Sequence, residues 1–283
     1  MVGVLRHPGW LRLRPPPPGV LERMQALTAG LGLHTVCQSA RCPNQGECFA
    51  RGTATFLLLG DTCTRACSFC AVASGHPSPP DPTEPGRIVE AVRRLGLDYA
   101  VLTSVTRDDL PDGGAGHFAA ALRALHDYSP SLPVEVLVPD FQGSAGPLKA
   151  VLAARPAVLS HNLETVPRLY PQVRPGASFS RSLKLLRRAG DAAPGLFTKS
   201  GLMLGLGEER EEVMWTMAQL REVGCHFLTL GQYLRPSPEH HSVVRFVPPE
   251  EFEDYRDIAQ GMGFRGVASG PLVRSSYRAA RTV

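Results

Sequence analysis

The sequence predicts an α/β fold: a partial (β/α)6, TIM-like barrel with an N-terminal cysteine-bearing extension and a C-terminal closing tail. Short apolar runs alternate with amphipathic helical patterns along most of the 283 residues, the signature of a parallel sheet with crossover helices. About six strand–helix units fit, fewer than the eight of a closed barrel. The length suffices for one barrel-sized core. An open doubly wound sheet gives the same periodicity. In either architecture ligands gather at the carboxyl ends of the strands.

The elements follow in order. Residues 1–36 read as an irregular arm with basic residues Arg6, Arg12 and Arg14, four prolines at 15–18 and a short helix at 21–31. Pro43, Asn44 and Gly46 supply turns within a cysteine-bearing segment. An apolar strand at 55–60 ends at Gly60-Asp61, and a second cysteine-bearing loop follows it directly. Helical patterns then fall at 84–95, 116–128, 145–154, 179–189, 208–223 and 249–262. Strand-like runs fall between them at 99–103, 134–138, 157–160, 200–206 and 227–230. The resulting division is an extension at 1–52, a barrel core at 53–248 and a C-terminal helix and tail at 249–283.

Composition excludes several classes. A formal charge of +4 is too mild for a nucleic-acid binder, although a basic surface suits an acidic protein partner. No run of 18 apolar residues occurs, so no membrane span is expected. The N-terminus lacks the apolar stretch of a secretory signal, which points to the cytoplasm. Seven cysteines, an odd number, argue against a disulfide framework. Six of them form two triplets, Cys37-x4-Cys42-x5-Cys48 and Cys63-x3-Cys67-x2-Cys70.

Three thiolates around one centre leave a tetrahedral coordination set one short. Soft thiolates select zinc or iron–sulfur clusters, and three-fold ligation of a cubane leaves one iron open. A zinc knuckle in a binding module is the competing reading. The spacing from Cys63 to Cys70, with Phe69 before the last cysteine, resembles the radical S-adenosylmethionine superfamily. That resemblance implies a 4Fe–4S cluster on Cys63, Cys67 and Cys70, with the cofactor chelated to the open iron and Phe69 against its adenine. The radical forms at the cofactor, so no side chain is expected to act as a catalytic acid or base.

The first triplet narrows the match. The run CQSARCPNQGEC at 37–48 resembles the lipoyl synthase family, as do TATFLLLGDTC at 53–63 and TSVTRDDLPDGG at 103–114. Further matches are VEVLVPDF at 134–141, HNLETVPRLY at 161–170, TKSGLMLGLGE at 198–208, GQYL at 231–234 and RSSY at 274–277. A biotin-synthase-like sulfur inserter shares the second triplet but not the first, nor the Ser-Ser tail. The resemblance implies a second, auxiliary 4Fe–4S cluster on Cys37, Cys42 and Cys48. Its fourth ligand is a serine of the tail, Ser275 or Ser276, of which Ser276 is taken. In the family, carbons 6 and 8 of a protein-bound octanoyl chain lose hydrogen to the adenosyl radical and take sulfur from the auxiliary cluster. Implied partners are octanoylated carriers (the lipoyl-bearing subunits of dehydrogenase complexes and the glycine cleavage H protein), a flavodoxin or ferredoxin as electron donor, and an iron–sulfur carrier protein. No nucleic acid or membrane partner is expected. Two departures from the family are Ser160, where asparagine is usual, and Arg278, where histidine is usual.

Polar residues at strand ends complete the candidates. Asn162 and Glu164 suit the ribose and amino group of S-adenosylmethionine, and Arg174 and Arg181 suit its carboxylate through the guanidinium fork. Helix capping or local pairing is the alternative for each. Thr103 and Ser104 are weaker candidates. Arg107-Asp108-Asp109 and Asp112-Gly113-Gly114 read as a turn and helix cap rather than a metal loop. Gly205-Leu206-Gly207-Glu208 lacks the lysine of a P-loop and reads as close backbone approach. His161 needs no role in radical chemistry, and His240-His241 reads as a polar loop. Lys199 is either a cation near an anionic ligand or a snorkelling side chain. Cys225 begins a strand, at the end away from the ligands, and reads as a small buried hydrophobe.

Overall fold

The computed structural model describes residues 7–12 and 15–282; Arg6 and Arg14 of the basic arm lie outside the described residues. The chain opens with α1 (Val20–Gly30), β1 (His34–Thr35), α2 (Val36–Ser39) and α3 (Gln45–Ala50). Next come β2 (Thr55–Leu58), the small strands β3 (Thr62–Cys63) and β4 (Ala73–Ser74), then α4 (Glu84–Leu95), β5 (Ala100–Ser104) and α5 (Ala115–Tyr128). They are followed by β6 (Val134–Leu137), α6 (Ala145–Ala153), β7 (Val158–Ser160), α7 (Tyr170–Val173) and α8 (Phe179–Ala192). The last elements are β8 (Phe197–Leu204), α9 (Arg210–Glu222), β9 (Phe227–Gln232), α10 (Pro249–Gly261), β10 (Gly266–Gly270) and α11 (Ala279–Thr282).

The main sheet has eight strands in the order β1-β2-β5-β6-β7-β8-β9-β10, with β1 and β10 at its edges. From β2 to β10 every pairing is parallel, as the alternation of strands and helices requires. Helices cover the outside and side chains fill the inside, so β2 is buried along its whole length. Burying a side chain such as Phe56 or Leu58 contributes about 2 kcal/mol. Each covering helix has a stripe for that purpose. In α4 it is Ile88, Ala91 and Val92, and in α8 it is Ser182, Leu185, Leu186 and Ala189.

Two strands exceed the six-unit expectation. β10 continues the parallel ladder beyond β9, pairing Gly266 with Phe227 through to Gly270 with Gly231. Its sequence, GVASG, has no apolar run and is half-buried, so only the pairing makes it a strand. It belongs to the sheet although it falls within the segment 249–283. β1 pairs antiparallel with β2, placing Thr35 opposite Phe56. Residues of the N-terminal extension thereby cover one open edge of the barrel.

Beyond β10 the tail returns across the carboxyl ends of the strands. Gly231 makes this crossing possible, since a Cβ there would stand 2.0 Å from the Val273 carbonyl oxygen. Asn44 Nδ2 donates to the Leu272 carbonyl at 2.7 Å. Glu47 accepts from Tyr277 at 3.0 Å and from Arg278 at 2.7 Å. The two ends of the chain therefore meet over the mouth.

Candidate metal and cofactor site

The loop after β2 carries the second triplet and is held from several sides. The Cys63 Sγ accepts from the Thr106 amide at 3.3 Å and the Arg65 amide at 3.4 Å. Arg65 reaches Asp108 at 2.6 Å and the buried Asp140 at 2.7 Å, which ties the loop to the ends of β5 and β6. Those two carboxylates hold the guanidinium in its charged form. From the opposite side, the Ser68 amide donates to Val173 at 3.0 Å and the His241 amide donates to Ser68 at 2.8 Å. His240 Nε2 lies 3.0 Å from the Cys70 carbonyl. His240-His241 is thus a polar loop, and one that clamps the cysteine segment.

The first triplet forms within the extension. Thr35 caps α2, which carries the buried Cys37, and the Cys42 amide returns to the Cys37 carbonyl at 2.9 Å. α3 carries Cys48 and packs with α1 around Val20, Met24, Phe49 and Ala54. Burial pushes the thiols up, to about 12 at Cys37, about 11 at Cys48 and about 12 at Cys70. Within each triplet the thiols act on one another electrostatically, so each set shares one small volume. Among the described residues no three His, Cys, Asp or Glu side chains close around a single ion.

Three of the four polar candidates meet beside the second triplet. Asn162 Nδ2 donates to Glu164 at 3.0 Å and to Ser275 Oγ at 3.2 Å. Arg174 donates to the Asn162 and Leu163 carbonyls at 2.9 Å, and its charge favours the Cys67 thiolate. Burial pushes the Glu164 carboxyl up, against the pull of Arg174. Asn162 Oδ1 and Arg174 Nε are buried with no partner among the described residues. Such orphans call for a polar ligand, and a group with amino, carboxylate and hydroxyl functions fits them. Phe69 packs against the apolar cluster that includes Leu163 and Val166. Arg181 stands apart, bound to Asp140 at 3.0 Å on the outer rim.

The tail separates its two serines. Ser275 faces Asn162, whereas Ser276 Oγ accepts from Thr55 Oγ1 at 2.8 Å. Thr55 also neighbours the Cys37 thiol, and its polar groups favour the thiolate against the effect of burial. Arg274 lies between the two groups, its charge acting on both Cys42 and Glu164.

Other candidates take structural places. Lys199 neither snorkels nor meets an open ligand space: its Nζ is buried against Glu135 at 3.0 Å, and Ser160 completes the network at 2.8 Å. Both His161 ring nitrogens are engaged, by the Val138 carbonyl at 2.8 Å and Ser182 at 2.9 Å. Thr103 donates to Leu137, and Ser104 Oγ is buried without a partner among the described residues. Arg107 pairs with Asp109, and Asp112 accepts from the Gly114 amide. Glu208 accepts from the Gly205 and Leu206 amides, while Gly205 lies against Gln232 and the Arg245 carbonyl. Cys225 is fully buried. Sequence reasoning missed Thr55, Arg65, Asp140, His240 and Arg274. Each had some local signal: Thr55, Asp140 and Arg274 lie in runs that carry the family resemblance, Arg65 lies inside the cysteine loop, and His240 lies in a His-His pair.

The family pattern of the Radical SAM superfamily matches residues 57–220. A lipoyl synthase of Caldanaerobacter subterraneus subsp. tengcongensis is 54% identical over 275 residues, 97% of this chain and 96% of that protein. A lipoyl synthase of Methylococcus capsulatus is 56% identical over 276 residues, 97% of this chain and 86% of that one. In fold, the chain is similar to methylornithine synthase, with a TM-score of 0.56 and 15% identity over 88% of this chain and 77% of that one.

Proposed function

The chain belongs to the lipoyl synthase family of the radical S-adenosylmethionine superfamily, and from that premise we propose which of its residues carry the activity. The enzyme is a sulfurtransferase that uses a 4Fe–4S cluster and S-adenosylmethionine to insert sulfur into octanoyl groups borne by lipoyl carrier domains. When bound, the cofactor and its cluster supply a radical that takes hydrogen from unactivated carbons. Cys63, Cys67 and Cys70 hold that cluster, with Arg65 and His240 fixing their loop. Asn162, Glu164 and Arg174 orient S-adenosylmethionine through its polar groups, and Phe69 bounds the adenine. Arg181 has its carboxylate partner already in Asp140, so its part in cofactor binding is indirect.

A second cluster on Cys37, Cys42, Cys48 and Ser276 is the sulfur source for carbons 6 and 8. The observation that carries this assignment is the divergence of the tail serines, Ser275 toward Asn162 and Ser276 toward the Thr55–Cys37 pair. A serine oxygen is a harder partner for iron than a thiolate, which suits a cluster that must give up sulfide. The extension (1–52), the core (53–248) and the closing segment (249–283) then supply the sulfur donor, the radical centre and the link between them. The proposed partners are octanoylated dehydrogenase subunits and H protein, a flavodoxin or ferredoxin, and an iron–sulfur carrier protein, all in the cytoplasm.

The test is anaerobic incubation with an octanoyl-lysine peptide, S-adenosylmethionine and a reductant, read by mass spectrometry for two added sulfurs. Cys63→Ala should abolish S-adenosylmethionine cleavage yet keep the iron of the first triplet. Ser276→Ala should keep cleavage and lose sulfur insertion. Cleavage surviving in Cys63→Ala, or insertion surviving in Ser276→Ala, sinks the assignment.

A further inference from the structure

A cavity of about 290 Å³ opens on the outer rim between α6 and α8. Asp140, Ser144, Ser178, Arg181, Lys184 and Arg188 contribute to its wall. Arg181, Lys184 and Arg188 are spaced by three and four residues, so they lie along one face of α8. Three cations here face one carboxylate, and Asp140 is already shared between Arg65 at 2.7 Å and Arg181 at 3.0 Å. Arg188 donates to the Gly143 carbonyl at 2.7 Å. Among the described residues, Lys184 and Arg188 meet no carboxylate. Ser144 and Ser178 stand at the N-terminal ends of α6 and α8, whose dipoles add to the positive potential.

The position matters as much as the charge. Asp140 follows β6 at the carboxyl edge and reaches the cysteine loop through Arg65, so the pocket adjoins the mouth. If the substrate is an octanoyl chain on a carrier domain, as read above, the domain is too large to enter the barrel and must rest on this rim. We propose that the basic pocket is the docking site of the carrier domain, with carboxylates of the carrier seated against Lys184 and Arg188. Surface charges of this kind act chiefly on the rate of encounter and therefore depend on salt.

Charge reversal of Lys184→Glu with Arg188→Glu tests it, because neither residue is among those assigned to the clusters or to S-adenosylmethionine. Octanoylated H protein and a short octanoyl-lysine peptide serve as paired substrates at low salt. The double variant should raise KM for H protein about tenfold, with kcat and peptide turnover unchanged. Salt should lower kcat/KM of the original enzyme on H protein and leave that of the variant nearly flat. Should the double variant misfold, Lys184→Gln alone should show a smaller rise in the same KM. An unchanged KM for H protein, or a parallel loss on the peptide, overturns the docking site. Failure of the original enzyme to convert the peptide counts instead against the functional reading.

Discussion

His161 shows how one residue acquires its character from its neighbours. It follows β7 at a position suited to catalysis, yet both of its nitrogens are consumed between the sheet and α8 by Val138 and Ser182. Burial, aided by the Arg174 charge, lowers its pKa from the ordinary 6.5 to about 4. Between those values the unfolded chain binds a proton that the folded chain refuses. Stability contributed at this site is therefore present above pH 6.5 and lost as the pH falls toward 4. From pH 7 to pH 5 the loss should be about 2 kcal/mol. Urea unfolding of the metal-free protein at both pH values measures it, with His161→Gln as the reference. An equal pH response in both proteins would refute the account. Ser275 and Ser276 make the same point: adjacent in sequence, they face different partners because they are the two central residues of a turn closed by the Tyr277 amide on the Arg274 carbonyl at 3.0 Å.

At the element scale, the crossing of the tail over β9 is the joint on which the proposed Ser276 ligation depends. Only glycine fits where the Val273 carbonyl passes Gly231. Gly231→Ala should force the tail outward at a cost of about 1–3 kcal/mol. Ser276 then leaves Thr55. The expected readout is loss of iron from the first triplet with S-adenosylmethionine cleavage retained, and equal loss from both triplets would contradict it. The principal helices and core strands were legible because their apolar stripes repeat at the helical period or run unbroken through the sheet. β10 was not legible, since GVASG is a strand only by virtue of its partner.

At the scale of the whole molecule, the N-terminal extension and the C-terminal tail meet over the carboxyl ends of the strands. Asn44, buried next to the first triplet, holds the tail by its bond to Leu272, more than two hundred residues away. Asn44→Ala should leave the Leu272 carbonyl without that donor, a cost of about 1–3 kcal/mol. Amide hydrogen exchange should quicken across residues 271–278 and stay unchanged in the barrel strands. Uniform acceleration would mean that the ends do not form a separate closure.

The sequence by itself determined a parallel α/β sheet with crossover helices, the division of six cysteines into two triplets and, through short runs that resemble a family, the barrel and the candidacy of the tail serines. Each of these is local: a period, a spacing or a short run. The tertiary structure decided that Ser275 faces Asn162 while Ser276 faces Thr55, and that Arg181 stands on the rim while Arg174 stands inside. It also turned His240 into a clamp on the Cys70 carbonyl and gave Lys199 its counter-charge in Glu135. These are contacts between segments that only folding brings together, and no pattern along the chain encodes a distance across the barrel mouth.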